Sequence, residues 1–334
     1  MNTADISFII PVYNRPDEIK ELLESFLLLE GTKDFEIVII EDGSSIPSKN
    51  IIEQFNGPLN ISYFYKENSG PGDSRNYGMQ RAQGDYFIIL DSDCVLPPNY
   101  LNAVRNYLSN HYVDCFGGPD AAHQSFSNIQ KAINFSMTSF ITTGGIRGRK
   151  GSVDKFQPRS FNMGLSKNAF LATDGFGKIH PGEDPDLSIR LENLGFDTAL
   201  IPEAFVYHKR RISWNKFYQQ VNKFGMVRAI LNKWHPQTSK LTYWFPTVFC
   251  IGLIAAILLW ILGYPTLLYG YGIYFIISFI LALIASGSMA VAFLAIVAIL
   301  IQFFGYGFGF LKSNMMLSFS KKSAQDIFPN LFFK

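Results

Sequence analysis

The sequence is poor in cysteine and has almost no net charge. Its 334 residues include three cysteines, Cys94, Cys115 and Cys250, which are too few and too scattered for a disulfide framework or a structural zinc site. The 29 basic and 27 acidic side chains give a formal charge of +2, without the clustered cations that neutralise nucleic-acid phosphates. We therefore expect no disulfide-rich fold and no nucleic-acid partner.

One long stretch lacks acidic and basic side chains. Residues 241–311 contain no Asp, Glu, Lys, Arg or His, although charged residues make up 17% of the chain. A stretch of this length accommodates about three helices of roughly 20 residues, each able to cross about 30 Å of hydrocarbon. Breaks at 263–265 and 286–288 place the predicted transmembrane helices near 245–262, 266–285 and 289–311. The remaining residues have the charge content of an ordinary globular domain.

The segment before the uncharged stretch mixes aromatic and cationic side chains. Between residues 213 and 234 it carries Trp214 and Phe217 beside Lys216 and Lys223. This composition is typical of a helix that lies in the membrane surface. We therefore predict an amphipathic interfacial helix within residues 212–240.

The two ends of the chain make conflicting predictions of topology. The first residues lack the basic and apolar segments of a secretory signal, so we expect residues 1–240 to stay in the cytoplasm. Three spans would then place the short basic tail, residues 312–334, outside, whereas its four lysines against one aspartate favour the inside. A re-entrant segment would remove the conflict, and the sequence leaves both arrangements open.

Residues 5–117 alternate between short apolar runs and amphipathic stretches, which is typical of βα units around a buried parallel sheet. The predicted strands and helices are, in turn, strands 7–12, 35–40, 61–65 and 86–90, with helices 16–29 and 72–82. Ligands bind at the carboxyl ends of the strands in such sheets. The polar residues that follow these strands are therefore candidates for a functional site.

Asp91 and Asp93 directly follow the fourth predicted strand. Two carboxylates at this spacing can share a divalent cation and the diphosphate that it carries, because Mg²⁺ and Mn²⁺ prefer oxygen ligands. On its own, the pattern also fits an ordinary turn with two aspartates.

Three further motifs are candidates, and two of them have the same kind of double interpretation. Asp42, in the Glu-Asp-Gly-Ser-Ser run at 41–45, either accepts an N–H from a nucleobase or forms an Asx-turn. Arg75 follows a turn at 68–72 into a helix, an arrangement that suits phosphate. The carboxylates in residues 182–186 either complement a helix dipole or include a general base.

Taken together, the motifs resemble glycosyltransferase family 2 of the GT-A fold. The resemblance covers residues 5–211 and rests on five runs in one order: Ile-Pro-Val-Tyr-Asn at 10–14, Glu-Asp-Gly-Ser-Ser at 41–45, Gly-x-x-Arg-Asn at 72–76, Asp-x-Asp at 91–93 and Glu-Asp at 183–184. It implies an α/β, Rossmann-like domain at residues 1–211 that binds a nucleotide-sugar. It also implies an inverting, metal-dependent transfer and a bacterial, membrane-anchored protein in the inner (cytoplasmic) membrane with its catalytic domain facing the cytoplasm.

The resemblance assigns roles to individual residues. Asp42 would contact the base of the nucleotide-sugar, while Pro11 and Tyr13 would line its pocket. Asp184 would be the catalytic base, with Glu183 beside it. Asp91 and Asp93 would hold the sugar-nucleotide and its Mn²⁺ or Mg²⁺. Apart from the resemblance, we expect Arg75 to bind the donor, and we treat His208 as a candidate ligand of the metal or the diphosphate. His208 precedes a basic run at 209–211, so it also fits a surface histidine.

Two departures from the family pattern bear on function. Glu41 stands where the family commonly has an Asp, a change that keeps the charge. The Gln-x-x-Arg-Trp signature of processive synthases is absent from the comparable region near 219–228, which favours a single transfer. The expected acceptor is a hydroxyl of a lipid-linked or membrane-proximal glycan. A polyprenyl phosphate acceptor, or an inactive membrane scaffold, is the alternative.

Overall fold

The computed structural model describes residues 5–121, 126–144, 157–208 and 213–333. The chain forms two compact units. The first comprises Met1–His123, Ile146–Lys209 and Phe332–Lys334, and the second comprises Gln124–Gly145 and Arg210–Leu331.

The strands of the described residues all lie in the first unit. In chain order they are β1 (Ile6–Val12), β2 (Phe35–Asp42), β3 (Ile61–Lys66), β4 (Tyr86–Leu90), β5 (Cys94–Val95), β6 (Cys115–Gly117), β7 (Asp120–Ala121), β8 (Asn162–Ser166), β9 (Thr198–Leu200) and β10 (Val206–His208). Seven of them form one sheet in the order β3-β2-β1-β4-β8-β6-β9, and three form a smaller sheet in the order β5-β10-β7.

The helices divide between the two units. In chain order they are α1 (Pro16–Leu27), α2 (Lys49–Ile52), α3 (Pro71–Met79), α4 (Tyr100–Asn110), α5 (Asn128–Thr138), α6 (Phe140–Thr143), α7 (Lys167–Thr173), α8 (Glu183–Asn193), α9 (Trp214–Trp234), α10 (Phe245–Ile261), α11 (Thr266–Ser286), α12 (Met289–Phe319) and α13 (Ala324–Ile327). Helices α5, α6 and α9 to α13 belong to the second unit.

The four predicted strands are confirmed as β1 to β4. They are parallel and adjacent, with Ile6 of β1 opposite both Phe35 of β2 and Tyr86 of β4. Beyond β4 the sheet is mixed rather than wholly parallel, because β8 runs antiparallel to both β4 and β6. This α/β architecture, with a nucleotide-binding type of strand order around β1, is the fold class that the sequence predicts.

Apolar side chains cover both faces of the main sheet. Phe8 and Ile10 point to one face, where they pack with Phe26 of α1. Ile9, which lies between Phe8 and Ile10 along β1, points to the other face, where α3 and α7 pack. Both faces of β1, β2 and β4 are thereby buried, so the polar residues at their carboxyl ends are held on rigid supports.

The second unit contains the three long apolar helices that the uncharged stretch predicts. Leu241–Ile261, Thr266–Ser286 and Met289–Phe319 are long and apolar enough to cross a membrane, with mean hydropathies of 2.3, 2.2 and 2.3. Helix α12 continues to Phe319, past the predicted end at residue 311, and so includes Lys312.

Helix α9 packs closely against α12 through glycines of both helices. A Cβ atom at Gly225 would lie 2.2 Å from the carbonyl oxygen of Tyr306, and one at Gly309 would lie 2.3 Å from that of Asn222. Gly305 and Gly309, two small residues four positions apart on α12, therefore both face α9. The placement of α9 in the membrane surface stays a prediction.

Candidate active site

Polar side chains meet at the carboxyl ends of β1, β2 and β4 in the first unit. The loops after β1 and β2 are joined by hydrogen bonds, because the Asn14 amide donates to Ser44 Oγ (2.8 Å) and Asn14 Oδ1 accepts from the Ile46 amide (3.0 Å). Glu41 is fully buried and accepts from the Ser48 amide (2.7 Å) and the Ser44 hydroxyl. Glu41 therefore supports the turn in which Asp42 lies.

Asp42 fixes the loop that leads into α3. It is 3% exposed, and its Oδ1 accepts from Lys66 Nζ (2.6 Å) and the Ser69 amide (3.0 Å). Its Oδ2 accepts from the Gly70 amide (3.0 Å). These contacts tie β2 to β3 and to the start of α3, and the contact with a nucleobase stays a prediction.

Pro11 and Tyr13 lie at the end of β1, next to this loop system. Pro11 is half-buried opposite Ile40, and Tyr13 is 53% exposed. An aromatic ring with this exposure is available to a ligand above the sheet edge.

Arg75 is buried and joins two acidic side chains. Its Nη2 donates to Asp91 Oδ1 (2.8 Å), its Nη1 donates to Glu183 Oε1 (2.9 Å), and its guanidinium lies 5.3 Å from the ring centroid of Phe176. Burial opposes the charge of Arg75, but the two carboxylates outweigh it and raise the pKa of Arg75 above its ordinary value. Arg75 thus connects the end of β4 with the start of α8, and its contact with the donor stays a prediction.

Glu183 is held ionised by its neighbours. Burial would raise its pKa, but the imidazole of His180 and the guanidinium of Arg75 lower the pKa of Glu183 to about 2. His180 Nδ1 lies 3.1 and 3.2 Å from the two carboxylate oxygens. Both oxygens of Glu183 are engaged, and Glu183 supports Arg75. The catalytic roles of Glu183 and Asp184 stay predictions.

Asp184 has the opposite shift. Burial raises the pKa of Asp184, and the charge of Glu183 raises it further, while Arg159 opposes the shift. The side chain is 18% exposed, and Arg159 Nη1 lies 3.7 Å from Asp184 Oδ2. A carboxylate with a raised pKa and access to a ligand is suited to accept a proton.

Asp93 and His208 lie next to each other, and their role as metal ligands stays a prediction. His208 Nε2 lies 3.1 Å from Asp93 Oδ1, and Arg15 Nη1 lies 3.3 Å from Asp93 Oδ2. The His208 ring stacks on Phe161 with a centroid distance of 4.9 Å. Asp91 turns instead to Arg75, although 32% of its side chain is exposed.

The residues around Asp93 fit a divalent cation. Among the described residues, the potential ligand atoms of Asp93, Cys94 and His208 lie within 4.8 Å of one another. A carboxylate oxygen and an imidazole nitrogen suit Mn²⁺, whereas a thiol suits softer metals. Cys94 is fully buried and directs its S–H to the Phe161 carbonyl oxygen (3.4 Å), so Asp93 and His208 are the fitting pair.

Sequence analysis missed several residues of the site. The sequence motifs do not identify His180, although its spacing of three residues from Glu183 is a usable signal. They do not identify Lys66 either, which lies at the end of β3 and holds Asp42. Arg15 and Arg159 lie too far in sequence from Asp93 and Asp184 for any local pattern to pair them.

The first part of the chain is similar in sequence to known proteins. Residues 7–170 match the family model "Glycosyl transferase family 2". An uncharacterised glycosyltransferase of Rickettsia conorii is 42% identical over 93 residues, which is 28% of this chain and 15% of that protein. The poly(ribitol-phosphate) beta-N-acetylglucosaminyltransferase TarS of Staphylococcus aureus is 31% identical over 111 residues, or 32% of this chain and 19% of that protein. The chain spans 15–32% of the first curated relatives it matches.

A solved structure extends the similarity to nearly the whole chain. The mannosyltransferase PcManGT from Pyrobaculum calidifontis, in complex with GDP-Man and Mn²⁺, superposes with a TM-score of 0.55 at 16% identity. The match covers 96% of this chain and 89% of that one, and it shows a shared fold. The family model matches the segment that holds Asp42, Arg75, Asp91 and Asp93, so residues 7–170 of this chain are similar to glycosyltransferase family 2.

Proposed function

We propose that the protein is an inverting, metal-dependent glycosyltransferase. It moves a sugar from a nucleotide-diphosphate-sugar to a hydroxyl of a lipid-linked or membrane-proximal glycan. The observation that carries this proposal is the buried Arg75, which pairs with both Asp91 and Glu183. Asp91 is close in sequence to the candidate metal ligand Asp93, and Glu183 is next to Asp184. Arg75 therefore links the two parts of the site.

The two sides of the site have complementary chemistry. On one side Asp93 and His208 offer an oxygen and a nitrogen ligand. On the other side Asp184 has a raised pKa and a partly exposed carboxylate. A donor diphosphate held at the first side and an acceptor hydroxyl held at the second would meet at the sheet edge.

The chain's own residues then account for the transfer. Asp184 accepts the proton of the acceptor hydroxyl, whose oxygen attacks the sugar carbon on the face opposite the leaving diphosphate, so that the configuration inverts. Mn²⁺ or Mg²⁺ bound by Asp93, His208 and Asp91 would supply positive charge for the leaving diphosphate. Arg75 and Glu183 keep Asp91 and the start of α8 in register throughout.

The relatives support a nucleotide-sugar donor. PcManGT is solved with GDP-Man and Mn²⁺, and TarS is named as an N-acetylglucosaminyltransferase. The three apolar helices support an acceptor at the membrane, and we place the protein in a bacterial inner membrane with the first unit in the cytoplasm.

Substitution of Asp184 tests the proposal directly. The full chain in detergent is incubated with Mn²⁺ and a panel of UDP- and GDP-sugars, and release of the nucleoside diphosphate with lipid-glycan acceptors is measured. We expect Asp184→Asn to lower the rate by about 10²- to 10⁴-fold, because the hydroxyl then lacks a base. We expect Asp93→Ala to abolish the Mn²⁺ dependence together with the activity.

Asp174→Asn is the matched control. Asp174 is exposed and has a φ of 57°, a conformation that Asn tolerates. It should retain the wild-type rate. Full activity in Asp184→Asn would contradict the assignment of the base.

A polyprenyl phosphate acceptor is the second candidate, favoured by the same apolar helices. Such an acceptor is already an anion and requires no strong base. Wild-type activity on polyprenyl phosphate, retained in Asp184→Asn and absent with lipid-linked glycans, would decide for it.

A further inference from the structure

Phe332 and Phe333 pair with the backbone just before the candidate base. The Phe333 amide donates to the Lys178 carbonyl oxygen (3.1 Å), and Phe332 forms an antiparallel bridge with Ile179. These two aromatic residues belong to the first unit, although the residues before them, from 210 to 331, belong to the second. The chain therefore returns to the catalytic domain after the apolar helices.

The ring of Phe333 packs between two loops. Its centroid lies 5.8 Å from that of His180. On its other side it lies against Gly70, where an added Cβ would be 2.3 Å from the Phe333 ring. Gly70 has a φ of 94°, a backbone conformation that favours glycine. Because glycine has no side chain, the Phe333 ring can occupy the space next to it.

Both neighbours of the ring are one hydrogen bond from a site carboxylate. The Gly70 amide donates to Asp42 (3.0 Å), and His180 Nδ1 lies 3.1 Å from Glu183. Glu183 in turn holds Arg75 at 2.9 Å. Phe333 thus contacts the loop of the donor side and the turn of the acceptor side at once.

We propose that Phe333 is a positioning residue for the transfer, which holds the His180 imidazole against Glu183 and so fixes the start of α8 that bears Asp184. The inference rests on the proposed function, because it assigns Phe333 a part in that reaction. It requires no contact between Phe333 and substrate. A ring wedged between two loops restricts both, and small displacements of a base relative to the reacting atoms are costly.

Hydrogen–deuterium exchange tests the contact independently of activity. The full chain in detergent is compared with Phe333→Ala, and the exchange of the peptide covering residues 178–186 is followed by mass spectrometry. We expect faster exchange in this peptide in Phe333→Ala and wild-type exchange in Phe333→Tyr, which keeps the ring. Tyr112→Ala is the control, because Tyr112 is also aromatic, is 51% exposed and packs on Tyr86. Unchanged exchange in Phe333→Ala overturns the inference.

Kinetics then separate positioning from simple support of the fold. With the best donor and acceptor of the wild-type screen, we expect Phe333→Ala to lower kcat by about 10- to 100-fold with little change in the KM for the donor, and Phe333→Tyr to restore kcat. Where Phe333→Ala does not fold, Phe333→Leu is measured against the same criteria. If the wild-type chain transfers sugar and Phe333→Ala has an unchanged kcat, the inference about Phe333 is refuted and the proposed function stands. A wild-type chain that transfers no sugar refutes the proposed function, and the exchange result still decides the contact.

Discussion

The buried arginine of the site depends on both of its acidic partners. Arg75 has 4% of its side chain exposed, and removing one member of a buried ion pair leaves an uncompensated charge. We expect Arg75→Gln to lower the free energy of unfolding by about 3 kcal/mol or more, because Asp91 and Glu183 lose their cation. Arg105→Gln, which breaks a pair with the exposed Asp34, should cost under about 1 kcal/mol. Melting temperatures of the two variants in the same detergent provide the comparison.

Arg159 lowers the pKa of Asp184, the candidate base. Its positive charge favours the ionised form of Asp184 and so opposes the effect of burial, which raises the pKa of that carboxyl. Arg159→Gln should therefore raise the pKa of Asp184 further. Since the transfer needs the unprotonated carboxylate, the acidic limb of the profile of kcat/KM against pH should move to higher pH. An unmoved or lowered acidic limb, with Arg105→Gln as the reference variant, would contradict this role of Arg159.

At the residue scale the sequence predicts which side chains matter better than it predicts their partners. The candidate ligands Asp93 and His208 lie next to each other, and Asp93 is a motif residue at a strand end. Arg75 was expected to face phosphate, yet its guanidinium pairs with acidic groups 16 and 108 residues away in sequence. Such pairings depend on how α3 and α8 pack, which local patterns do not encode.

At the scale of elements, the contact between α9 and α12 makes a sharp prediction. Gly309→Ala should destabilise the second unit by about 1–3 kcal/mol, because its Cβ would lie 2.3 Å from the Asn222 carbonyl oxygen. Gly272→Ala in α11 is the matched control, since nothing lies within 4 Å of a Cβ there. Thermal unfolding of the two variants measures the difference, and equal melting temperatures would contradict the close packing of α9 on α12.

The sheet shows which elements can be predicted from sequence. Strands β1, β2 and β4 are continuous apolar runs bounded by turn residues, and such runs can be predicted as strands from sequence alone. Strand β8, Asn162–Ser166, is equally buried, but its composition of Asn, Met, Gly, Leu and Ser has no apolar run. Its place is set by pairing with β4 and β6, and Gly164 allows the Phe116 ring of β6 to pack against its backbone. The position of β8 therefore depends on tertiary contacts, which the local sequence does not predict.

At the scale of the whole molecule, the return of the chain to the first unit bears on topology. Phe333 bonds to Lys178 in the first unit, so we predict that the residues after α12 lie on the same side of the membrane as that unit. This return predicts an even number of crossings. With the first unit in the cytoplasm, as we propose, the lysines that follow residue 311 would agree with the positive-inside rule.

The same reasoning selects the helices that cross. Helices α10 and α11 are joined by a tight turn at residues 263–265, and most of their surface near that turn is exposed. Helix α12 is the most buried of the three, because Ala292 and Ala295 pack with Ala132 of α5 while Gly309 packs on α9. We therefore predict that α10 and α11 cross as a hairpin and that α12 does not complete a third crossing.

Thiol labelling tests this arrangement with a membrane-impermeant reagent on sealed vesicles. The three native cysteines are buried, so the signal comes from introduced thiols. Leu171→Cys marks the first unit, because Leu171 is 67% exposed on α7. We expect Ser320→Cys to be labelled from the same side as Leu171→Cys, and Tyr264→Cys, in the turn between α10 and α11, to be labelled from the opposite side. Labelling of residues 320 and 171 from opposite sides would require three crossings, and it would also be incompatible with the pairing of Phe333 and Lys178.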